Sequence, residues 1–503
     1  MWLSCLLAFI SSFCTLVIEL IAGRIMAPYI GVSLYTWTSI IGIVLAGMSG
    51  GNFFGGFVAD RYASRRTLGW IFIAGSLASV GILVVTHAIE GATFGLSFLP
   101  RIVVSIAAIF FLPSFVLGMV SPFVVKLALG DLEHSGHTVG TIYAASTVGS
   151  IVGTFVTGFW LISWLGTRTI VWLVAGTLLA TGLLVGALPV SKKVRTAATV
   201  GALVALVGIR ATTAERFAAP CDIESNYYCI RVLETVARGH PARMLMLDRL
   251  IHSYIVPDDP TALDYGYEDA YSKLTQAHAM GRPRIDTLFI GGGGYSFPRY
   301  VEAVYPGSSV DVIEIDPAVI AVVYDRLGLS PTTRIRSFNE DARVFLNEWA
   351  DPKQYDFVYG DAFNDLSIPY HLTTVEFNRI IAKRLKPNGI YLTNIIDKFD
   401  GGEFLKAEAN ALRAVFPHVY MFGRGDAFMP FDRNTYVLMA SLQPLDRERF
   451  DAVTAQDDPS TRPTMLPEAR MDAYLTSGRT ITLTDDFVPV DQLLANLFIE
   501  RGN

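Results

Sequence analysis

Apolar runs long enough to cross a bilayer follow one another almost without a break up to Ile209, more than one soluble core can absorb. They centre on Leu3–Ile21, Thr36–Val58, Leu68–Val85, Ile102–Val125, Ile142–Leu161, Thr169–Leu188 and Ala197–Ile209. The last is short and reads as a span, a tilted segment or an interfacial helix. The first is no cleavable leader, because it lacks a basic start and carries Glu19 and Arg24 where a cleavage site belongs. Beyond Glu215, charges and turn residues recur as in a soluble α/β protein. The 503-residue chain is therefore expected to hold a multi-pass α-helical membrane domain over 1–212. A linker, β-meander and substrate-side helix follow over 213–280, and an α/β domain over 281–503.

Two features of the apolar half exceed anchoring. An acid inside a membrane segment is costly, so Glu19 is either functional or half of an interfacial pair with Arg24. The stretch GMSGGNFFGGFVADR (Gly47–Arg61) resembles the loop after the second helix of major-facilitator transporters, and GTIYAASTVGSIVGTFVTG (Gly140–Gly158) is similar in style. Close helix packing through small residues is the favoured reading of both, and seven spans are too few for a complete transporter of that kind. Cys5 and Cys14 read as small apolar residues of a span. Cys221 and Cys229 flank DIESNYY and are either a disulfide or two free thiols, and no spacing suggests zinc. The net charge of −6, without a basic stripe or aromatic–basic interleaving, excludes nucleic acid as a partner.

In the soluble half, IRVLET, RMLMLDR and LIHSYIV alternate as a β-meander, and DYGYEDAYSKLTQAHAM has helical spacing. Strands and helices then alternate: IDTLFIGGGG, SVDVIEIDP, TRIRSFNEDARVFL, YDFVYGDAF, TVEFNRIIAKRL, KPNGIYLTNII, with further strands near HVYMFG and NTYVLMAS. This predicts a parallel, doubly wound sheet of Rossmann type, whose ligands bind at the carboxyl ends of the strands. Chemistry-bearing residues fall at those ends. Gly291, Gly292 and Gly293 close the first strand, where bare backbone admits a cofactor. Glu314 ends the second, about twenty residues on, where a carboxylate accepts from both ribose hydroxyls. Asp341 and Ala342 follow the third and meet an adenine edge. Asp361 ends the fourth, facing the reactive end of an adenosine-type cofactor. Carboxylates after strands three and four favour an S-adenosylmethionine-type sulfonium over NAD.

These residues resemble the spermidine synthase family, and the whole chain is similar to its bacterial membrane-fused branch. The resemblance covers roughly Glu224 to Leu494. ESNYYCIRVLE and LDRLIHSYIV are similar to the family's β-domain, the second to its LDG-x-x-Q, with His252 in the Gln place. YGYED is similar to F-x-Y-x-E, which implies substrate contacts for Tyr267 and Asp269. EID (Glu314–Asp316) and Asp341–Ala342 match the adenosine-binding places. GDAFND (Gly360–Asp365) stands where the family has its D-S-S-D gate. The resemblance thus implies Asp361, Asn364 and Asp365 as catalytic, with Asp361 orienting and deprotonating the attacking amine. His371 in PYHLTT is either a second base or substrate contact, or a loop histidine capping the next helix. Phe363, Phe428 and Phe431 are pocket walls or core and lid packing. TDDFVPVDQLL is similar to the C-terminal signature of the membrane-fused branch, where Asp485 and Asp486 either close over the site or cap a helix.

The departures concern the donor. The family's GGGDGG reads GGGGYS here, so Gly294 replaces an Asp that contacts the ammonium of a decarboxylated donor tail. Its loss also removes a repulsion against the carboxylate of ordinary S-adenosylmethionine. Tyr295 and Ser296 are expected to reshape the pocket wall. Methyl or related transfer from S-adenosylmethionine to an amine, or to a membrane-delivered substrate, is therefore slightly favoured. A true aminopropyltransferase using decarboxylated S-adenosylmethionine is the first alternative, and a non-enzymatic, cofactor- or polyamine-gated transporter or sensor the second. No metal is called for, because a sulfonium is already an activated leaving group. The family often forms homodimers. The basic loops DRYASRR and SKKVR place those turns in the cytoplasm, and the His87–Pro100 loop, without Lys or Arg, outside. Seven spans in a bacterial inner membrane then put the soluble domain outside, but cofactor supply favours the cytosol, and the cytosol is the expected side.

Overall fold

The computed structural model describes residues 1–93, 95–129, 135–187, 190–215, 217–349, 351, 353–362, 368–429 and 433–499. The chain forms two compact units that divide between Asn226 and Tyr227.

Among the described residues, the first unit contains seven helices long and apolar enough to cross a membrane. They are α1 (Trp2–Ile30), α2 (Leu34–Tyr62), α3 (Arg65–Ile89), α4 (Phe98–Ala128), α5 (Ser135–Trp164), α6 (Thr167–Gly186) and α7 (Lys192–Thr213). The short last run is thus the middle of a 22-residue helix. Ser33 and Ser64 cap α2 and α3 by accepting from the N–H groups of Thr36 and Thr67. The glycine motifs are packing seams. Gly47, Gly51 and Gly55 repeat every four residues along α2. A Cβ at Gly51 would lie 2.0 Å from the Phe115 carbonyl oxygen on α4. On α5, Gly149 and Gly153 meet the backbone of Phe9 and Phe13 in the same way, with Cβ positions 2.4 and 2.8 Å from the two carbonyl oxygens. Only hydrogen in place of a side chain lets these helix backbones approach so closely. Arg24 donates to the carbonyls of Ser225 and Asn226, and Glu224 accepts from the backbone N–H and hydroxyl of Thr167, both at 2.7 Å, at the start of α6. Cys221 and Cys229 are disulfide-bonded, and Cys5 and Cys14 are free.

The second unit opens with an antiparallel meander, β1 (Cys229–Ala237), β2 (His240–Leu247) and β3 (Leu250–Ile255). Helix α8 (Gly266–Ala279) follows. The α/β layer then runs β4 (Asp286–Ile290), α9 (Ser296–Val304), β5 (Ser309–Glu314), α10 (Pro317–Asp325), β6 (Arg336–Asn339), α11 (Ala342–Glu348) and β7 (Tyr355–Gly360). It continues with α12 (Val375–Arg384), β8 (Leu385–Lys398), α13 (Phe404–Arg413), β9 (His418–Arg424), β10 (Arg433–Ser441) and β11 (Pro463–Met465). The sheet order is β11-β9-β10-β8-β7-β4-β5-β6. Pairing is parallel from β6 through to β8, as the alternation of strands and helices predicts. It is antiparallel around β10 and between β9 and β11, which corrects the expectation of a wholly parallel sheet. The link from Arg424 to Arg433 is too short for a crossover helix, so β10 must return beside β9. The strand order reverses at β4, between β5 and β7, and an open α/β sheet places its ligand crevice at such a point.

Candidate active site

The crevice is built on the tips of β4 and β7. The Asp361 N–H donates to the Ile290 carbonyl at 2.8 Å, fastening the two strand ends together. Gly291 has φ 88°, and a Cβ there would stand 2.4 Å from the Asp361 carbonyl oxygen, so only glycine makes this turn. The cleft above is lined by Gly291, Gly293, Glu314, Asp341, Ala342 and Asp361, joined by His252 from β3 and His371.

Each expected cofactor residue has a definite place. Glu314 is buried. Its two oxygens accept from the N–H groups of Gly292, at 2.9 Å, and Asp316, at 3.0 Å. The carboxylate lines the cleft, and a carboxylate there can accept from a pair of ribose hydroxyls. Burial raises its pKa, and the backbone donors oppose that shift. Asp316 instead caps α10 through the Ala318 N–H and supports Glu314 from behind. Asp341 caps α11 with one oxygen, accepting from Arg343 and Val344, and meets His371 Nε2 at 2.7 Å with the other. His371 therefore joins Asp341 at the end of the cleft expected to take adenosine. Asp485 is bound by Arg343 and by Thr374, the latter at 2.8 Å, and braces that corner.

At the reactive end, Asp361 is gripped from both sides. The Tyr267 hydroxyl on α8 donates to Oδ2 at 2.8 Å. Asn394 Nδ2 on β8 donates to Oδ1 at 2.9 Å. Burial pushes the Asp361 pKa up to about 6, against the pull of these two bonds, which poises the carboxylate as a base near neutrality. Asn364 and Asp365 lie outside the described residues, as do Phe363 and Phe431. Phe428 packs on Phe399 and Tyr436 in the core. His252 lines the cleft, and its Nε2 is shielded from solvent without a hydrogen-bond partner. Burial pushes its pKa down to about 4, so the ring is neutral at pH 7. The orphaned nitrogen, the glycine cradle and the oriented Glu314 together fit an adenosine-containing ligand.

Three placements differ from expectation. Asp269 is turned toward Lys273, Asp457 and Arg424, whose charges it feels. Its neighbour Glu268, passed over in the sequence, is 1% exposed and accepts from the Ser296 hydroxyl at the glycine loop. Burial, with the nearby Asp361 charge adding to it, pushes Glu268 up to about 8. Tyr295 does not reshape the cleft wall: it is buried beneath the glycine loop with its hydroxyl on Ser337 at 2.9 Å. The place of the family's loop Asp is filled from the meander. The Gly294 N–H donates to Ser253 Oγ at 2.8 Å, and a Cβ at Gly294 would lie 2.6 Å from Ser253 Cβ. Tyr228, which also lines the cleft, and Asn394 escaped the sequence reading as well. A lone Asn in the apolar strand IYLTNII is the signal that was available for the second.

No family model matches the chain. Among curated proteins it is similar to a polyamine aminopropyltransferase of Vibrio vulnificus, 30% identical over 181 residues, 36% of this chain and 58% of that protein. It is similar to polyamine aminopropyltransferase 1 of Aquifex aeolicus, 27% identical, over 40% of this chain and 68% of that protein. It is also 30% identical to the eEF1A lysine and N-terminal methyltransferase of Xenopus laevis, over 27% of this chain and 21% of that protein. Among solved structures it is similar to a probable spermidine synthase from Corynebacterium glutamicum, with 21% identity, a TM-score of 0.46 and coverage of 51% of this chain and 93% of that one. The chain spans only 58% of the Vibrio vulnificus protein and 32% of a probable polyamine aminopropyl transferase of Bifidobacterium longum, to which it is 24% identical. The second unit is an open α/β sheet, parallel from β6 through to β8, with a β-meander in front. The curated relatives thus include both polyamine aminopropyltransferases and protein methyltransferases.

Proposed function

We propose that the protein transfers an alkyl group from an S-adenosylmethionine-type sulfonium to an amine, with Asp361 as base and orienter. The observation that carries this is the Asp361 carboxylate, held by Tyr267 and Asn394 at the strand-order reversal and poised near pH 6. An amine is protonated at neutral pH and attacks only after losing a proton. Asp361 binds the ammonium, takes the proton and leaves a nitrogen lone pair. The N–C bond forms as the C–S bond breaks, and the sulfur departs as a neutral thioether. Glu314 and Asp341 hold the adenosine end. Ordinary S-adenosylmethionine is the favoured donor, because Ser253 closes the space in which a carboxylate on residue 294 would meet a decarboxylated tail. Aminopropyl transfer is the second reading, favoured by Glu268, which brings a carboxyl to the same loop through Ser296.

Calorimetry with the two donors on the purified chain, followed by turnover with small amines, tests this reading. Tighter binding of ordinary S-adenosylmethionine is expected. A clear preference for the decarboxylated form would reverse the donor assignment, and no transfer to any amine would leave a cofactor-binding sensor.

The helical unit is proposed to hold this transferase at a bacterial inner membrane and to bring acceptors from it. A count of seven helices with the basic turn between α2 and α3 on the cytoplasmic side, and the disulfide-bonded Cys221 and Cys229, favour the outer face for the second unit. A membrane-impermeant maleimide applied to whole cells with a reductant is expected to label both cysteines. Labelling only after lysis would return the unit to the cytosol, where donor supply favours it.

A further inference from the structure

Two basic turns of the helical unit meet at one place. Gly182, near the end of α6, sits against Gly69, near the start of α3, and a Cβ at Gly182 would lie 2.6 Å from the Gly69 carbonyl oxygen. Further along, the Ser76 hydroxyl on α3 donates to the Ala175 carbonyl on α6 at 2.7 Å. The two helices therefore run antiparallel, and the first turn of α3 stands beside the last turn of α6. Arg195, in the first turn of α7, donates to the carbonyls of Leu184 and Val190, each at 3.3 Å, which ties the start of α7 to the same end of α6. Arg65 and Arg66 on α3, and Lys192 and Lys193 on α7, are thereby gathered around one helix end.

All four are exposed, and among the described residues none of their side chains has a hydrogen bond or ion pair. The neighbouring acid Asp60 is taken by Lys126 at 2.7 Å. Neither α3 nor α7 has an acid in its first turn, where one would be favoured and where cations oppose the helix macrodipole. These charges cost the fold and are not neutralised within it. Membrane orientation asks for basic turns, but not for their convergence beside a glycine contact.

The surface that runs on from the cations is apolar. Trp70, Leu77 and Val84 follow Arg66 along α3 at spacings that keep them within about 40° of its direction, and all three are exposed. Of the residues of α7 only Thr199 is buried. Along α3 the face is cationic, then aromatic, then aliphatic, which is the order of phosphate, glycerol and acyl chain in a phospholipid.

We propose that the junction of α3, α6 and α7 binds an anionic phospholipid, its phosphate held by Arg65, Arg66, Lys192 and Lys193 and an acyl chain laid along Trp70, Leu77 and Val84. The inference rests on the proposed membrane placement of the helical unit and is independent of the group that Asp361 transfers. A choline lipid carries the same phosphate but adds a positive charge to a cluster of cations. A soluble phosphate would meet the cations and leave the apolar stripe uncovered.

In the test, the full chain in neutral detergent is titrated with palmitoyl-oleoyl phosphatidylglycerol, with the phosphatidylcholine of the same chains and with glycerol 3-phosphate, and bound molecules are counted by native mass spectrometry. Phosphatidylglycerol is expected to bind about tenfold or more tighter than phosphatidylcholine, with the margin shrinking as salt is raised. Glycerol 3-phosphate is expected to bind far more weakly than either lipid. R66Q/K193Q, which removes two charges, is expected to weaken phosphatidylglycerol binding about tenfold or more. R66K/K193R, which keeps both charges, is expected to bind as wild type does and guards against a folding defect. R210Q removes a cation at the other end of α7, where Arg210 donates to Thr169, and is expected to change nothing. Equal binding of the two lipids, or an equal loss in R210Q, would reduce the cluster to an unspecific charged rim. Glycerol 3-phosphate binding as tightly as the lipid would make it a site for a soluble anion, and each of these results overturns the lipid site. A chain that stays soluble without detergent would remove the membrane placement as well, whereas a detergent-dependent chain without the lipid preference removes the site alone.

Discussion

Asp361→Asn is expected to remove turnover, by about 10²–10⁴-fold, and at the same time to stabilise the second unit at neutral pH. Burial raises this carboxyl from 3.8 to about 6, so the folded chain holds the proton more tightly than the unfolded chain does. The stability linked to that proton is complete below about pH 4 and is lost as pH rises through about 6. Above that, the ionised carboxylate costs the fold up to about 3 kcal/mol by linkage. Because Asp361 keeps one face on the cleft, about 2 kcal/mol is the better figure. Asparagine carries no charge, and its amide can still pair with Asn394 and Tyr267. Thermal unfolding of wild type and variant at pH 4 and pH 7.5 checks this. The variant should gain several degrees at pH 7.5 and almost nothing at pH 4. Equal behaviour at both pH values, or retained turnover, would remove Asp361 from its role as a tuned base.

The second large effect concerns the donor. Gly294→Asp alone is expected to destroy donor binding, because its Cβ would press on Ser253 at 2.6 Å. The backbone of residue 294 is not left-handed, so the obstacle is Ser253 and not the main chain. Gly294→Asp with Ser253→Gly opens the space and restores a carboxylate to the glycine loop. The double variant is expected to favour decarboxylated over ordinary S-adenosylmethionine by about 10–100-fold more than wild type does. A carboxylate attracts the lone ammonium and repels the second carboxylate, and about 1.4–2.8 kcal/mol is typical of one such charged contact. If the double variant binds both donors as wild type does, position 294 has no part in donor choice. The acid that matters would then be Glu268.

The paired carboxyls also explain why one reading of the donor cannot come from the glycine loop alone. Glu268 and Asp361 feel each other's charge, and a cation between them would let both ionise. Moving an acid from the loop to α8 keeps a carboxyl near the tail but places it behind Ser296, within a hydrogen bond that must rearrange before it meets a ligand.

The sequence by itself determined the division into an apolar and an α/β half, the succession of strands up to Asp361, and the acidic residues that stand at their ends. Those signals are local. Hydrophobic period, a glycine turn after a strand and a carboxylate about twenty residues on are each written in a short stretch of chain. The antiparallel return of β10 depended on a short link whose consequence shows only against β8 and β9. Tertiary structure alone decided which acid of α8 faces the site, since neighbouring helix positions differ by about 100° and packing sets the rotation. It also decided that Ser253, forty-one residues before Gly294 in the chain, fills the place of a missing side chain. It brought Asn394 to Asp361. Each of these is a contact between distant segments, fixed by how the sheet and its helices close on one another, and no local pattern carries it.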